Sequence, residues 1–454
     1  MSSPEAQTQT PEEFDVLDLF AGPGGLDVAA HFLGLTSIGV ELDGNACETR
    51  YRAGLPTIHA DVTVMREERY EEIPHTKVLA GGPPCQSFSI AGSGAGRKAL
   101  VKVTELIDKL IEDPDDKRID KELADLDSRT GLVLEPLRYL LKAITSGRGP
   151  YQSIVLEQVP TVYPVWLAYQ KLLTGEGLTK LQPGKGTRPI EYVVDCGVLR
   201  TEEYGVPQTR KRAVLIARLK SATQEPGASP KLPDPTHLPF EGARGARIQE
   251  ASDTLPGFAQ SDSAPEKESW RSMHTALTDA ASELADSHDS IPREQKFYVV
   301  SNYGSGGDPK KRGIRHWNQP SFTVTGKVSR NRPMDENGNP LPRFTIHEAG
   351  VLQSFPGDFP WSGNDQAQQV GNAVPPLFGM HVLGAAIGRK PYTPDSFNLA
   401  WGGPADEARI AELRTRGCGH ETGCPSGHPH DQSSSGSSAV SRPRTGTSVK
   451  RSAK

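Results

Sequence analysis

Cys85 is the residue of this sequence best placed to do chemistry. It lies in G-G-P-P-C-Q-S-F-S, Gly81 to Ser89, directly after two prolines and behind a short apolar strand predicted over Lys77–Gly82. Open α/β sheets take their ligands just beyond the carboxyl ends of their strands, which is where this cysteine falls. The prolines stiffen its approach, and the flanking glycines and serines leave the rest of the loop free to move. A nucleophilic cysteine needs thiolate character, supplied by a helix N-terminus or nearby cations. Cys47 and Cys196 instead read as small buried apolar residues, the commonest fate of a lone cysteine.

Three further constellations carry chemistry. In I-V-L-E-Q-V-P, Ile154 to Pro160, Glu157 ends an apolar strand, and an acid buried there can hold a proton for donation. Standing alone it would be a solvated strand end. In Y-G-V-P-Q-T-R-K-R, Tyr204 to Arg212, the extended spacing of Arg210 and Arg212 points both the same way. They suit a phosphate or a carbonyl, or else form a solvated edge. D-L-F-A-G-P-G-G-L-D, Asp18 to Asp27, is a glycine turn where backbone can approach a ligand and the next helix offers its N-terminal dipole. Glu41 follows 17 residues after Gly24 at the end of a second strand, a placement that suits a ribose diol, and Asp61 ends a third. An ordinary βα turn explains the glycines as well. Their spacing also departs from G-x-G-x-x-G, which argues against a nicotinamide-dependent oxidoreductase.

The elements that must position these residues alternate. Strands are predicted over Phe14–Phe20, Thr36–Leu42, Lys77–Gly82, Ser153–Leu156, Ile190–Leu199 and Ala213–Leu219. Helices are predicted over Leu26–Leu33, from an Asp43 cap through Arg52, and over Val162–Leu173. The pattern predicts an α/β fold, a mostly parallel sheet with helices on both faces. Residues 102–127 interrupt it with ten acids against five bases, and 220–295 with Pro, Ser, Asp and Glu. The α/β character returns at Phe344–Phe355, and Val374–Ile387 reads as an apolar helix. From about Lys390 the chain turns Gly-, Ser- and Pro-rich and ends in a basic stretch, so 390–454 is expected to be a largely disordered tail, as is the leader 1–13.

Composition sets the bounds. The 454 residues carry 51 Lys plus Arg and 56 Asp plus Glu, a net charge of −5 that shows no global basic surplus for nucleic acid. Residues 102–127 alone contribute −5, so the remainder sums to zero and its bases are free to cluster. Five cysteines make no disulfide framework and point to a reducing cytoplasm. No apolar run approaches the ~20 residues of a membrane span, and the N-terminus lacks a signal core. The expectation is an intracellular protein with no membrane partner.

Taken in order, the motifs resemble those of the cytosine-C5 DNA methyltransferases. D-L-F-A-G-P-G-G resembles the first motif, V-E-L-D (40–43) the second and D-V (61–62) the third. G-G-P-P-C-Q-S-F-S resembles the fourth, L-E-Q-V the sixth and Q-T-R-K-R the eighth. H-E-A-G-V-L-Q-S-F-P (347–356) resembles the ninth and G-N-A-V-P-P (371–376) the tenth. The resemblance covers about 14–220 and 315–388.

It implies a Rossmann-like S-adenosylmethionine-dependent sheet in a catalytic domain over 14–219, with an acidic helical insertion at about 97–127 that reads as a solvated decoration. The catalytic domain would resume at 344–389 after a smaller, irregular target-recognition domain over 220–343. The implied cofactor, S-adenosylmethionine, would meet Phe20, Gly22, Gly24, Gly25, Leu26, Glu41, Leu42, Asp61, Val62, Pro84, Asn372 and Val374. Cys85 would add to cytosine C6, Glu157 would bind the N3/N4 edge, Arg212 would hold O2, and Arg210 a phosphate or the loop. Position 158 departs from the family's pattern: Gln158 stands where Asn is usual.

Bases gather at the end of the variable region, where 310–343 holds eight against two acids. Lys310, Lys311, Arg312 and Arg315, with Gln86 and Ser87 of the catalytic loop, are the expected DNA contacts. C-G-H-E-T-G-C-P-S-G-H-P-H (418–430) fits no standard zinc spacing, and no metal site is expected. The implied activity is methylation of a flipped cytosine in double-stranded DNA by a monomer, in partnership with a restriction endonuclease. A tRNA cytosine-C5 methyltransferase and a catalytically silent DNA-binding relative are the alternatives.

Overall fold

β1 (Val16–Leu19) is buried along its whole length and ends in a left-handed turn, with Phe20, Gly22 and Gly24 at φ of 60°, 54° and 106°. α1 (Gly25–Phe32) leaves that turn. The computed structural model describes residues 13–84, 94–112, 117–124, 130–175, 177–181, 189–222, 230–241, 267–281, 293, 296–301, 313–389 and 400–417. From α1 the chain alternates as its hydrophobic pattern requires: β2 (Ser37–Glu41), α2 (Gly44–Arg52), β3 (Thr57–His59), α3 (Val62–Glu68) and β4 (Val78–Gly81). Asp43 caps α2 as predicted, its side chain accepting from Asn45 N.

The helices α4 (Gly94–Glu112), α5 (Lys117–Ala124) and α6 (Glu135–Thr145) precede β5 (Ser153–Gln158). α7 (Tyr163–Leu173), β6 (Tyr192–Arg200) and β7 (Lys211–Leu219) complete the sheet. Its order is β3-β2-β1-β4-β5-β7-β6, and β7 alone runs against the other six. Because β7 runs backwards, its first residues lie at the carboxyl end of β5, with Gln158 opposite Ala213. Arg210 and Arg212 therefore arrive at the same edge of the sheet as Glu157.

Helices cover both faces. One core holds Leu17, Leu79, Ile154 and Leu215 against α3, α4, α6 and α7. The other holds Val16, Val155 and Ile216 against α1 and α11 (Pro376–Ile387). Before α11 come α8 (Met273–Asp279), an antiparallel three-stranded sheet of β8 (Phe297–Ser301), β9 (Ile314–His316) and β10 (Asn331–Asp335) in the order β10-β8-β9, α9 (Ile346–Leu352) and α10 (Gln366–Asn372). This part shares one core with the main sheet's flank, where Phe297 and Phe344 belong to the same cluster as Val28 and Leu55.

Two expectations are corrected. The acidic stretch is not a solvated decoration: Val103, Leu106, Ile107 and Leu110 are at most 1% exposed, an i, i+3, i+4, i+7 stripe of α4 within the main core. The surrounding charges obscured that stripe. The stretch after 390 is not irregular throughout, since residues 400–417 fold back and end in α12 (Glu407–Gly417), which seats Ile410 and Leu413 on Cys47 and Tyr51. The Cys/His segment and the basic tail lie outside the described residues. Finally, Gln366–Ile387 is long and apolar enough to pass for a membrane span, yet 78% of its apolar window is buried in the fold. It is α10 and α11 of the core, separated at Ala373–Pro375.

Candidate active site

The glycine turn is tied to the end of β2 by one carboxylate. Glu41 Oε2 accepts from Gly22 N at 2.7 Å, and its Oε1 accepts from Leu42 N at 2.9 Å and Asp43 N at 2.7 Å. Burial raises the Glu41 carboxyl above its ordinary range, outweighing those bonds. Beside it Leu42, on an otherwise polar rim, is 61% exposed. A Cβ built on Gly22 would meet nothing within 4 Å, so space is open at the turn. A carboxylate, an exposed apolar face and open space beside a positive-φ turn fit the ribose and base of a nucleoside-bearing cofactor.

Two sequence-predicted residues frame that space differently. Asp61 caps α3, accepting from Thr63 N at 2.7 Å, and Val62 is buried behind it. Across the turn, a Cβ on Gly25 would lie 2.1 Å from the Val374 carbonyl, so only glycine lets the two segments meet. That contact brings the first and tenth motifs together. Leu26 is buried in the core between α1 and α11, while Asn372 is exposed, its Oδ1 accepting from Gln368 Nε2 at 3.0 Å.

Under the turn lies a charged cluster with no sequence signal. Arg50 is fully buried and donates to both Asp27 oxygens at 2.5 and 3.1 Å, to Thr57 Oγ1 at 2.9 Å and to the Pro56 carbonyl at 3.1 Å. Burial, and then neighbouring Asp27, push the Asp18 carboxyl well above its usual range, and the two carboxyls share a hydrogen bond. The cluster joins β1, α1, α2 and β3 beneath the cofactor edge.

The second half of the site forms where β4, β5 and β7 end. Arg212 Nε lies 2.5 Å from Glu157 Oε1. The other carboxylate oxygen is 3.7 Å from a Cβ built on Gly82, and Val374 Cγ2 is 3.9 Å from the same point. Glu157, Gly82 and Val374 thus converge on one spot, where the strand ends meet the tenth motif. Next to Glu157, buried Gln158 donates from Nε2 to the Pro83 carbonyl. Pro84 is half-buried. Cys85, Gln86 and Ser87 follow it and lie outside the described residues.

Arg210 does not accompany Arg212. It is 5% exposed and donates from Nη1 to the Val324 and Gly371 carbonyls, each at 3.0 Å. It fastens the 320s segment to the tenth motif. Buried Gln208 and Gln353, which sequence reasoning missed, extend that fastening: Gln208 Nε2 donates to Gln353 Oε1, and Gln353 Nε2 donates to the Val370 and Ala373 carbonyls at 2.8 and 3.0 Å. A neutral amide gives no charge or periodicity signal; only its place beside R-x-R could have drawn notice. Among the expected DNA contacts, Lys310, Lys311 and Arg312 lie outside the described residues. Arg315 is half-buried, its guanidinium over the rings of Phe240 and Phe322.

The profile of the family described as C-5 cytosine-specific DNA methylase matches residues 14–106 and 185–388. Glu157 lies between the matched segments. The type II methyltransferase M1.HphI of Haemophilus parahaemolyticus is 27% identical, covering 82% of this chain and 86% of its own length. The type II methyltransferase M.AplI of Arthrospira platensis is 26% identical, covering 80% and 82%. The crystal structure of the S. pombe Dnmt2 methyltransferase aligns with a TM-score of 0.46 at 14% identity, over 83% of this chain and 99% of that one. With profile matches across well over half its length, this chain belongs to the C-5 cytosine-specific DNA methylase family.

Proposed function

We propose that this enzyme transfers a methyl group from S-adenosylmethionine to carbon 5 of a cytosine flipped out of a specific double-stranded DNA sequence, as the modification partner of a type II restriction endonuclease. The observation that carries the reading is the convergence of Glu157, Gly82 and Val374 at the strand ends, with Arg212 on the carboxylate. A base entering there would lie between the acid and the tenth motif, beside the root of the Cys85 loop.

The residues divide the work by chemistry. Cys85, one residue beyond Pro84, adds as thiolate to C6 and makes C5 enamine-like. Glu157 takes the N3/N4 edge and protonates N3, which keeps negative charge from building on the ring. Arg212 orients Glu157 and holds O2, while Arg210 positions the segments around the base. Phe20, Gly22, Gly24, Gly25 and Leu26 would line the methionine end of the cofactor. Glu41 would take its ribose, Leu42, Asp61 and Val62 its adenine, and Pro84, Asn372 and Val374 its remaining sides. Bound S-adenosylmethionine supplies the electrophilic methyl group. The C5 proton and Cys85 then leave. Flipping the base costs a few kcal/mol and exposes an atom the duplex hides.

The type II relatives and the long stretch between the eighth and ninth motifs favour sequence-specific DNA over tRNA. The reading includes a monomer working in the cytoplasm on bacterial or phage DNA. Bisulfite sequencing of DNA from cells carrying the gene, beside Cys85→Ala, tests it. New 5-methylcytosine at one defined motif, absent with C85A, is expected. No mark from the intact gene overturns the reading, and a mark that survives C85A overturns the assignment of the nucleophile.

A further inference from the structure

Arg315 is held unlike any other basic residue described near the strand ends. It sits on β9, an edge strand of the three-stranded sheet, opposite Val299. Its guanidinium carbon is 4.1 Å from the centre of the Phe240 ring and 5.0 Å from that of Phe322. Trp270 braces Phe240 edge-on at 5.1 Å, and Arg200 Nη2 donates to the Phe240 carbonyl at 2.6 Å. The two rings therefore hold the Arg315 guanidinium in one place.

Among the described residues the fork's donors are barely used. Its hydrogen bond is a long one, 3.5 Å from Nη2 to Thr209 Oγ1, and among the described residues no carboxylate pairs with it. The nearby acid Glu202 is already taken, 2.8 Å from Arg200 Nε. Burial pulls the Arg315 proton affinity down to about 10, against a smaller pull upward from Glu202. A half-buried cation with one long hydrogen bond among the described residues gains from a further acceptor. Thr209, which it touches, lies between Gln208 and Arg210, on the catalytic edge of the main sheet. Arg315 is thus tied to the segment that leads through Arg210 to Arg212 at the strand ends.

We infer that Arg315 reads sequence, pairing its fork with the O6 and N7 of a guanine close to the target cytosine. The inference rests on the reading that this enzyme methylates cytosine within a specific duplex. A fork held in place by two rings, its donors little used, suits the paired acceptors of a guanine edge. A phosphate would also accept the fork, but without preference for one base, and the map of methylated sites separates the two.

Mapping 5-methylcytosine across the DNA of cells expressing the full chain tests this, with Arg315→Lys and Phe322→Leu alongside the intact gene. The intact enzyme should mark one motif containing guanine near the methylated cytosine. R315K keeps the charge but loses the fork, and preference for one guanine should fall roughly 10- to 100-fold, the discrimination one bidentate pair supplies. F322L removes one ring and leaves the arginine, so it should relax the same position more weakly. A motif unchanged in both variants, with activity lowered evenly across sites, overturns the inference in favour of a phosphate or packing role. Absence of any mark from the intact gene would instead remove the functional reading beneath it.

Discussion

Arg212 and Glu157 face each other 2.5 Å apart at the ends of β7 and β5, with side chains only 13% and 8% exposed. The antiparallel pairing of those strands creates this relationship, because a parallel β7 would carry its arginines to the opposite edge. Removing one partner of a nearly buried pair leaves the other uncompensated, at about 3–5 kcal/mol. Arg212→Ala should therefore lose both stability and turnover. Glu157→Gln keeps the shape and one donor but cannot deliver the proton. Its turnover should fall roughly 10²- to 10⁴-fold, and it too should lose stability, because Arg212 keeps its charge without a counter-charge. Single-turnover methylation and urea midpoints on both variants separate the two effects, and an E157Q enzyme as fast as the parent would reject the assigned role.

Gln158 stands where the family usually has asparagine, and its amide holds the Pro83 carbonyl at the root of the catalytic loop. An unsatisfied buried carbonyl costs about 1–3 kcal/mol, and here the loss falls on Pro83, two residues before the proposed nucleophile Cys85. Gln158→Ala should slow turnover about 10-fold or more while leaving the Michaelis constants for DNA and cofactor near their starting values. Gln158→Asn shortens the reach by one methylene and should fall between the two. Rate constants under saturating DNA decide it; a Q158A enzyme altered only in DNA affinity would show that the amide serves binding.

The two halves of this site were unequally legible in the sequence. The glycine turn, the Asp43 cap and the strand carrying Glu157 follow from local rules, since each is written in consecutive residues. The Arg50–Asp27 pair spans 23 positions and the Gln208–Gln353 contact 145. Such pairings depend on which faces of distant elements meet, which no window of sequence records. Arg210 shows the same limit. Its spacing from Arg212 suggested a shared direction, but the turn before β7 sends it to carbonyls of the 320s segment and the tenth motif. In α4 the stripe Val103, Leu106, Ile107 and Leu110 was present in the sequence, and net charge drew attention away from periodicity.

His381 gives the fold an acid-sensitive point. It is 2% exposed on α11, its ring 5.2 Å from that of Tyr204 in the eighth-motif turn. Burial, and secondarily His237, hold its proton affinity down to about 4. The native ring stays neutral while the unfolded one charges near pH 6.5, so the unfolded state binds the extra proton. Stability from this residue is intact above about pH 6.5 and is lost as pH falls toward 4, by about 3 kcal/mol in all. His381→Phe keeps a ring against Tyr204 and removes the titration. Urea midpoints from pH 4 to 7.5 should fall more steeply with acid for the parent than for H381F; parallel curves would assign the acid response elsewhere.

The segment after residue 400 acts as a strap from the turn after the ninth motif to α2. Trp401 donates from Nε1 to the Ala53 carbonyl at 3.1 Å and packs within 5.5 Å of the His31 and Phe359 rings. Asp358, in the turn after the ninth motif, accepts from the backbone of Trp401, Gly402 and Gly403 at 2.7, 2.8 and 3.0 Å. Further on, α12 covers Cys47 and Tyr51 of α2, and α2 begins at the Leu42–Asp43 edge assigned to the nucleoside. The strap lies beyond the segments matched by the family profile. Trp401→Ala removes a half-buried indole and should cost about 2–3 kcal/mol. Truncation after Arg389 should do more, exposing Cys47, now 1% exposed with its thiol held well above the usual range by burial. Alkylation followed by peptide mapping should find Cys47 protected in the full chain and modified at least tenfold faster in the truncated one. Equal rates would mean that α2 holds its place without the strap.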